Sequence, residues 1–235
     1  MAVGLVATLL DLVLPGGCAA CGAGTADRTG ICPRCVTVLA ELPEPRRPRP
    51  APPGLPACVA GGDYDGALRE LILAYKERAR RGLARPLGDR LARVVASGWP
   101  EPGPVALVPV PATAAAIRAR HGDHMLLLAR QAARALADAG WPTVVASPLR
   151  ALPKADSAHL DREQRAAAAR SAFTIRWRSG VRVAALAEVA DAGAVVLVDD
   201  VLTTGATLAA AAGELLRAGV PVSFAATLAA TRRHS

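Results

Sequence analysis

An α/β fold built on a parallel sheet, preceded by a small four-cysteine module, is what this sequence predicts, and three observations carry that prediction. The first is the stretch V-V-L-V-D-D-V-L-T-T-G-A-T-L from Val195 to Leu208, where an apolar, mostly β-branched run meets two carboxylates and then a turn of small and hydroxylated residues. Strands buried on both faces read as continuous apolar runs, and paired charges mark the rim where such a strand leaves the sheet. The second is the alternation of short apolar runs with helix-period segments from residue 57 onward, which implies a parallel sheet with its working end at the strand carboxyl termini. The third is Cys18-x-x-Cys21 and Cys32-x-x-Cys35, separated by ten residues.

Length and composition bound the function classes. At 235 residues the chain suits one α/β domain plus an appendage and can bury a core without disulfide staples. A net charge of +8 suggests a polyanionic partner, but only Lys76 and Lys154 among the 28 basic residues are lysines, and the abundance of alanine points to a coding bias instead. Aromatics make up 3% of the chain, leaving few platforms on which single-stranded bases could stack. Met1 to Leu14 is apolar over a shorter span than the roughly twenty residues a bilayer requires. It also lacks the basic start and cleavage site of a secretory signal, so a cytoplasmic protein without a membrane span is expected. Leu5, Leu9, Leu12 and Val13 fall on one face of a short helix.

Three units follow in order. Residues 1–40 hold the apolar helix and a metal-binding module, since Cys18, Cys21, Cys32 and Cys35 can close a tetrahedral thiolate site. Structural zinc is the reading for a reducing compartment, with disulfides, a redox pair or an iron–sulfur cluster as the alternatives. Cys58 stands apart, as an inert buried thiol. Residues 41–56, E-L-P-E-P-R-R-P-R-P-A-P-P-G-L-P, can form neither a helix nor a central strand and read as an extended, semi-rigid linker. Residues 57–235 form the α/β domain.

Within that domain, Cys58 to Gly61 reads as a short strand, and Ala67 to Arg80 as a helix with Leu68, Leu71, Ile72 and Tyr75 on one face. Leu83 to Ser97 reads as a second helix. Val105 to Val108 is a buried strand running into the rigid V-P-V-P of Val108 to Pro111. A long helix starts at Asp123 or His124 and ends before Gly140. Thr143 to Ala146 is a strand, and Arg150 to Arg170 a polar, arginine-rich segment. Phe173 to Trp177 and Val181 to Ala184 read as strands, Glu188 to Ala192 as a turn or short helix, Val195 to Val198 as the central strand, Leu208 to Ala218 as a helix and Pro221 to Leu228 as the last strand.

The chemistry concentrates after the central strand. Thr203, Thr204, Gly205, Ala206 and Thr207 open a helix, offering backbone N–H groups and hydroxyls to a phosphate. Asp199 and Asp200 would repel a bare phosphate, so the ligand must also carry donors, as the vicinal hydroxyls of a ribose 5-phosphate do. An NTPase strand would need a Gly-Lys phosphate loop, and the chain has no Gly-Lys pair.

These fourteen residues resemble the phosphoribosyl pyrophosphate (PRPP) signature of type I phosphoribosyltransferases. With the cysteine knuckles, A-L-R-E-L-I-L-A-Y-K ending at Lys76, V-P-V-P, and R-E-Q-R…S-A-F ending at Phe173, the chain resembles the ComF family of competence-related phosphoribosyltransferase-like proteins. The resemblance implies a type I phosphoribosyltransferase-like domain in which Asp199 and Asp200 hold the ribose hydroxyls and Thr203 to Thr207 bind the 5-phosphate. It implies a mobile hood over Arg150 to Arg170 with Lys154 as a catalytic cation, and a pyrophosphate site near V-P-V-P with Lys76, Arg118 and Arg120 as candidates. Mg²⁺ would arrive with PRPP. The expected function is pentosyl transfer from PRPP to an unidentified acceptor, connected with DNA uptake. The alternative is a non-catalytic module that senses PRPP or binds single-stranded DNA or competence proteins. Where the family commonly shows R-G-F-N-Q, this chain has Arg120-His121-Gly122-Asp123-His124, and the usual Gln of the hood is replaced around Ser157. Neither His121 nor His124 has a partner visible in the sequence.

Overall fold

The computed structural model describes residues 17–24, 26–120, 122–153, 172–176 and 183–232. In chain order the described elements are a four-residue helix α1 (Pro33–Val36), strands β1 (Glu44–Pro45) and β2 (Cys58–Ala60), helices α2 (Gly66–Lys76) and α3 (Ala84–Gly98), and strand β3 (Val105–Pro109). Then come α4 (Ala114–Ala119), α5 (His124–Asp138), β4 (Thr143–Val145), β5 (Leu149–Ala151), β6 (Phe173–Ile175), α6 (Val183–Ala192), β7 (Ala194–Leu202), α7 (Ala206–Arg217) and β8 (Phe224–Ala230). The chain is a mixed α/β fold with a mostly parallel central sheet, ordered β1-β2-β8-β7-β3-β4, in which only β1 runs antiparallel.

Strand β7 lies between β8 and β3, and its apolar run explains that position. Val196 and Val198 pack with Leu87, Leu91 and Val95 of α3 and Leu128 of α5 on one face. Val195 and Leu197 pack with Leu208, Ala211 and Leu215 of α7 on the other. A strand covered by helices on both faces needs apolar residues at every position, not at alternate ones. Helices α3 and α5 meet closely at Gly88, where an added Cβ would lie 2.4 Å from the Cβ of Gln131.

Several elements differ from the sequence expectation. Strand β7 does not end at Val198. Beside β3 its ladder stops where Pro109 meets Val198, but beside β8 it continues, with Asp199 opposite Thr227 and Leu202 opposite Ala230. Backbone pairing to β8 thus carries the strand through the two charges, which sit at a rim on one side only. Val183 and Ala184, expected in a strand, start helix α6, and Glu188 to Ala192 belong to the same helix. Helix α4 was not expected. Thr113 supplies its cap, the Oγ1 accepting from Ala116 N at 3.3 Å. Leu149 to Ala151, at the start of the arginine-rich segment, pair antiparallel with Phe173 to Ile175.

The proline-rich run is integrated into the sheet. Glu44 and Pro45 pair with β2, Arg46 N donates to Cys58 O, and Leu55 is buried in the cluster beneath α7. Arg90 of α3, 1% exposed, donates to the backbone oxygens of Gly61 and Glu41 and so ties this run to the end of β2. The cysteine segment joins the main core, with Cys18, Ile31, Cys35 and Leu39 in the same cluster as Leu68, Leu83 and Leu91. The N-terminal helix expected over Met1 to Leu14, His121, and the part of the expected hood from Lys154 to Arg170 lie outside the described residues.

Candidate functional site

Three elements remote in sequence converge at the carboxyl end of β7. Helix α2 ends at Lys76, where Glu77 N closes the last turn onto Leu73 O and Ala79 adopts a left-handed backbone (φ 53°) that turns the chain away. That end projects Lys76 onto Asp200, Nζ to Oδ2 2.5 Å, with the two side chains 27% and 10% exposed. Helix α5 begins at His124, its N-cap Asp123 accepting from Leu126 N at 3.1 Å. His124 Nε2 lies 3.5 Å from the same Asp200 oxygen, and His124 O accepts the Tyr75 hydroxyl at 2.9 Å. The Tyr75 and His124 rings meet edge to face at 6.4 Å. Asp199 Oδ1 accepts the backbone N–H of Asp200 at 2.9 Å.

This arrangement splits the two acids electrostatically. Burial raises the Asp199 carboxyl, and the neighbouring Asp200 charge raises it further, to about 7. Burial would raise Asp200 too, but the hydrogen bond from His124 and the charge and hydrogen bond of Lys76 outweigh it, holding Asp200 down at about 2. Near neutral pH the pair therefore carries one firm charge, on Asp200, and a second carboxyl that exchanges its proton.

The turn that follows leaves Thr203, Thr204 and Thr207 exposed. Thr204 Oγ1 accepts Ala206 N at 3.3 Å, and Gly205 takes the left-handed backbone (φ 76°) that starts α7. An added Cβ at Gly205 would lie 2.8 Å from Leu55 Cδ2 and 3.3 Å from Pro48 Cγ. Gly205 is thus required both by its φ and by the proline-rich run packed against it.

A cleft of about 340 Å³ opens beside Asp200, its wall including Tyr75, Lys76, Arg81, Arg120, His124 and Leu127. Arg120 pairs with Glu77 at 3.0 Å at its rim. Of the cations expected around a pyrophosphate, Lys76 and Arg120 share this wall, whereas Arg118 is exposed on α4 and does not line it. Sequence reasoning missed Tyr75 as a site residue and left His124 without a partner. The tie between His124 and Asp200 spans helices and sheet and leaves no local pattern.

The second constellation is the cysteine cluster. The Sγ atoms of Cys18, Cys21, Cys32 and Cys35 all lie within 4.8 Å of one another, and none forms a disulfide. Cys21 and Cys32 Sγ are 3.8 Å apart. With Zn–S bonds of about 2.3 Å, a tetrahedral site places its sulfurs about 3.8 Å apart, so the donor set fits the metal. At Cys18, burial is outweighed by N–H donors from Cys21, Cys32 and Ala20, which lower the thiol to about 6, while burial and the other thiols push Cys35 up to about 12. Cys58 is buried and raised by that burial to about 11. No described helix is long and apolar enough to cross a membrane. The chain matches no protein-family model, and no curated protein matches it.

Proposed function

We propose that this protein binds PRPP at the carboxyl end of β7 and transfers its phosphoribosyl group to an acceptor, as a member of the ComF family. The observation that carries this reading is the placement of Asp199 and Asp200 at the one-sided rim of the central strand, immediately before the exposed threonines that open α7. Asp200 and Asp199 accept the ribose hydroxyls, and the Thr203 to Thr207 turn with the helix N-terminus takes the 5-phosphate. Lys76 and Arg120 face the pyrophosphate, whose charge Mg²⁺ shares as part of the bound substrate. The protein's contribution is mainly positioning and charge compensation. Lys154, the remaining cation of this reading, belongs to the hood. The four thiolates hold zinc as a structural cross-link. The connection with DNA uptake rests on the resemblance, and the cytoplasmic location on the sequence reading of Met1 to Leu14.

Titration calorimetry with PRPP, with and without Mg²⁺, tests the reading. Asp200→Asn is expected to weaken binding by about 1.5 to 3 kcal/mol, through loss of a charge-assisted hydrogen bond. Pyrophosphate release in the presence of nucleobases and amines then separates transferase from sensor. Gly205→Val does not discriminate, because it strains the backbone and strikes Leu55 whatever the turn binds.

A further inference from the structure

We propose that Thr227 is a positioning residue for Asp199, its hydroxyl turning to donate to the Asp199 carboxylate once that group is ionised. The contact does not depend on what the site binds, whereas its part in PRPP binding rests on the reading above. In the parallel ladder Thr227 of β8 stands directly opposite Asp199 of β7, with Ala60 of β2 as its neighbour on the other side. Side chains alternate between the two faces of a strand, and Leu197, Ala225 and Cys58, two residues earlier on β7, β8 and β2, lie in the cluster beneath α7. Asp199 and Thr227 therefore stand side by side on that face. Asp200 belongs to the opposite face, where Lys76 and His124 hold it.

Thr227 is fully buried, and its Oγ1 finds no hydrogen-bond partner among the described residues. Its backbone oxygen is already taken by Gly61 N at 2.9 Å. Buried hydroxyls are rarely left unpaired, and valine would fill the same space without that penalty. Since the neighbour on β2 is an alanine, the acceptor next to Thr227 on this face is the Asp199 carboxyl. Adjacent strands lie about 4.8 Å apart, so side-chain rotation brings Oγ1 within hydrogen-bond distance of a carboxylate oxygen. Asp199 is raised to about 7 by burial and by the Asp200 charge, so it passes between protonated and ionised forms near neutral pH. The ionised form gains more from the hydroxyl, because hydrogen bonds to a charged acceptor are the stronger kind. It is also the form that accepts ribose hydroxyls with both oxygens.

Few other groups bear on this titration. Asp200 and Lys76 act on Asp199 from the other face, and His124 of α5 acts on Asp200. Strands β3 and β8 carry no titratable side chain. Helix α7 brings Glu214 and Arg217, paired with each other near its far end, and Glu188 and Asp191 of α6 lie toward the start of β7. Cys58 of β2 is pushed up to about 11 by burial and stays protonated across the range tested below.

Urea unfolding of the full-length protein from pH 5 to pH 9 tests the contact in the wild type, Thr227→Val, Thr227→Ser, Asp199→Asn and the combination of Thr227→Val with Asp199→Asn. Thr227→Val keeps the shape and loses the donor, so Asp199 should hold its proton about tenfold more tightly. The cost of a raised carboxyl grows as pH rises, so the extra cost in Thr227→Val emerges only above about pH 7. Relative to its difference from the wild type at pH 5, the variant should lose about 1.4 kcal/mol by pH 9, the equivalent of that tenfold change. Thr227→Ser keeps the hydroxyl and should follow the wild-type pH dependence whatever its midpoint. In the Asp199→Asn background the pH-dependent loss should vanish. Thr227→Ala takes the place of the valine variant if that one does not fold. A loss that is the same at every pH, or that persists with Asp199→Asn, overturns the proposal. PRPP is titrated separately over the same range, and its affinity for Thr227→Val should fall below wild type near pH 7 and recover by pH 9. Absence of PRPP binding with the stability pattern intact overturns the ribose reading and leaves the contact standing. PRPP binding with no pH-dependent effect of Thr227→Val overturns the contact alone.

Discussion

Asp199 and Asp200 are chemically identical neighbours, and the structure gives them opposite titration. Asp200 is held below its ordinary value of 3.8, so its contribution to stability is present above that value and is lost as pH falls through about 2. Asp199 is raised from the same ordinary value, so the native state holds its proton longer than the unfolded chain does. Its cost is absent in acid and grows as pH rises from 3.8 through about 7. Asp199→Asn keeps the acceptor for Asp200 N and removes that cost. Thermal denaturation should show it stabilising the protein by at least about 1.4 kcal/mol at pH 8, the free energy of a tenfold change in proton affinity, and by less at pH 5. A gain independent of pH would contradict the assignment. Lys76→Ala should destabilise by about 2 kcal/mol at pH 7, because it strips the partner from a largely buried carboxylate. In an Asp200→Asn background most of that loss should disappear, as a double-mutant cycle reads. The two aspartates were legible from their place after an apolar run. Their partners were not, since Lys76 lies 124 residues from Asp200 and only the packing of α2 and α5 against the sheet brings the three together.

At the scale of elements, what was legible depended on whether side-chain pattern or backbone pairing decides the structure. The β-branched run of β7, the apolar face of α2 and the start of the long helix at Asp123 or His124 are side-chain properties and lay in the sequence. The extension of β7 beyond Val198 depends on a partner, β8, and the charge signal pointed the other way. The cysteine segment was legible through spacing alone, because tetrahedral ligation fixes which thiols can meet. Its packing was not, because Cys18, Ile31 and Leu39 join the core of α2 and α3 instead of forming one of their own. Arg80 Nη2 donates to Gly17 O at 2.9 Å and Arg93 to Leu39 O, adding polar ties between segment and body. Metal removal by a chelator, or Cys32→Ser, should therefore lower the midpoint of one cooperative transition of the whole protein, by about 3 kcal/mol or more in stability. Melting of a separate N-terminal unit, with the main transition unmoved, would contradict that packing.

For the molecule as a whole, a parallel sheet sandwiched by helices was readable from alternation, and the proline-rich run was readable as non-helical. Its role as an edge strand and as the packing partner of Gly205 was not, because proline composition reports what a segment cannot do and leaves open what it lies against. Arg90 shows the same limit. Nothing in its sequence neighbourhood marks it as buried, yet it serves the backbone oxygens of Gly61 and Glu41 from inside the core, and burial lowers it to about 10. Arg90→Ala should destabilise by at least about 2 kcal/mol, since it leaves a cavity and takes the guanidinium donor from the buried Gly61 oxygen, and urea unfolding measures this directly.

The central claim, that the rim of β7 and the turn into α7 form a ribose 5-phosphate site, is tested most directly by calorimetric titration of PRPP with Mg²⁺ into the wild-type protein and Asp200→Asn. The account predicts saturable one-to-one binding that weakens by about tenfold or more in the variant, in line with loss of a charge-assisted hydrogen bond. Undetectable PRPP binding to the folded wild type, or equal affinity in both proteins, would contradict it.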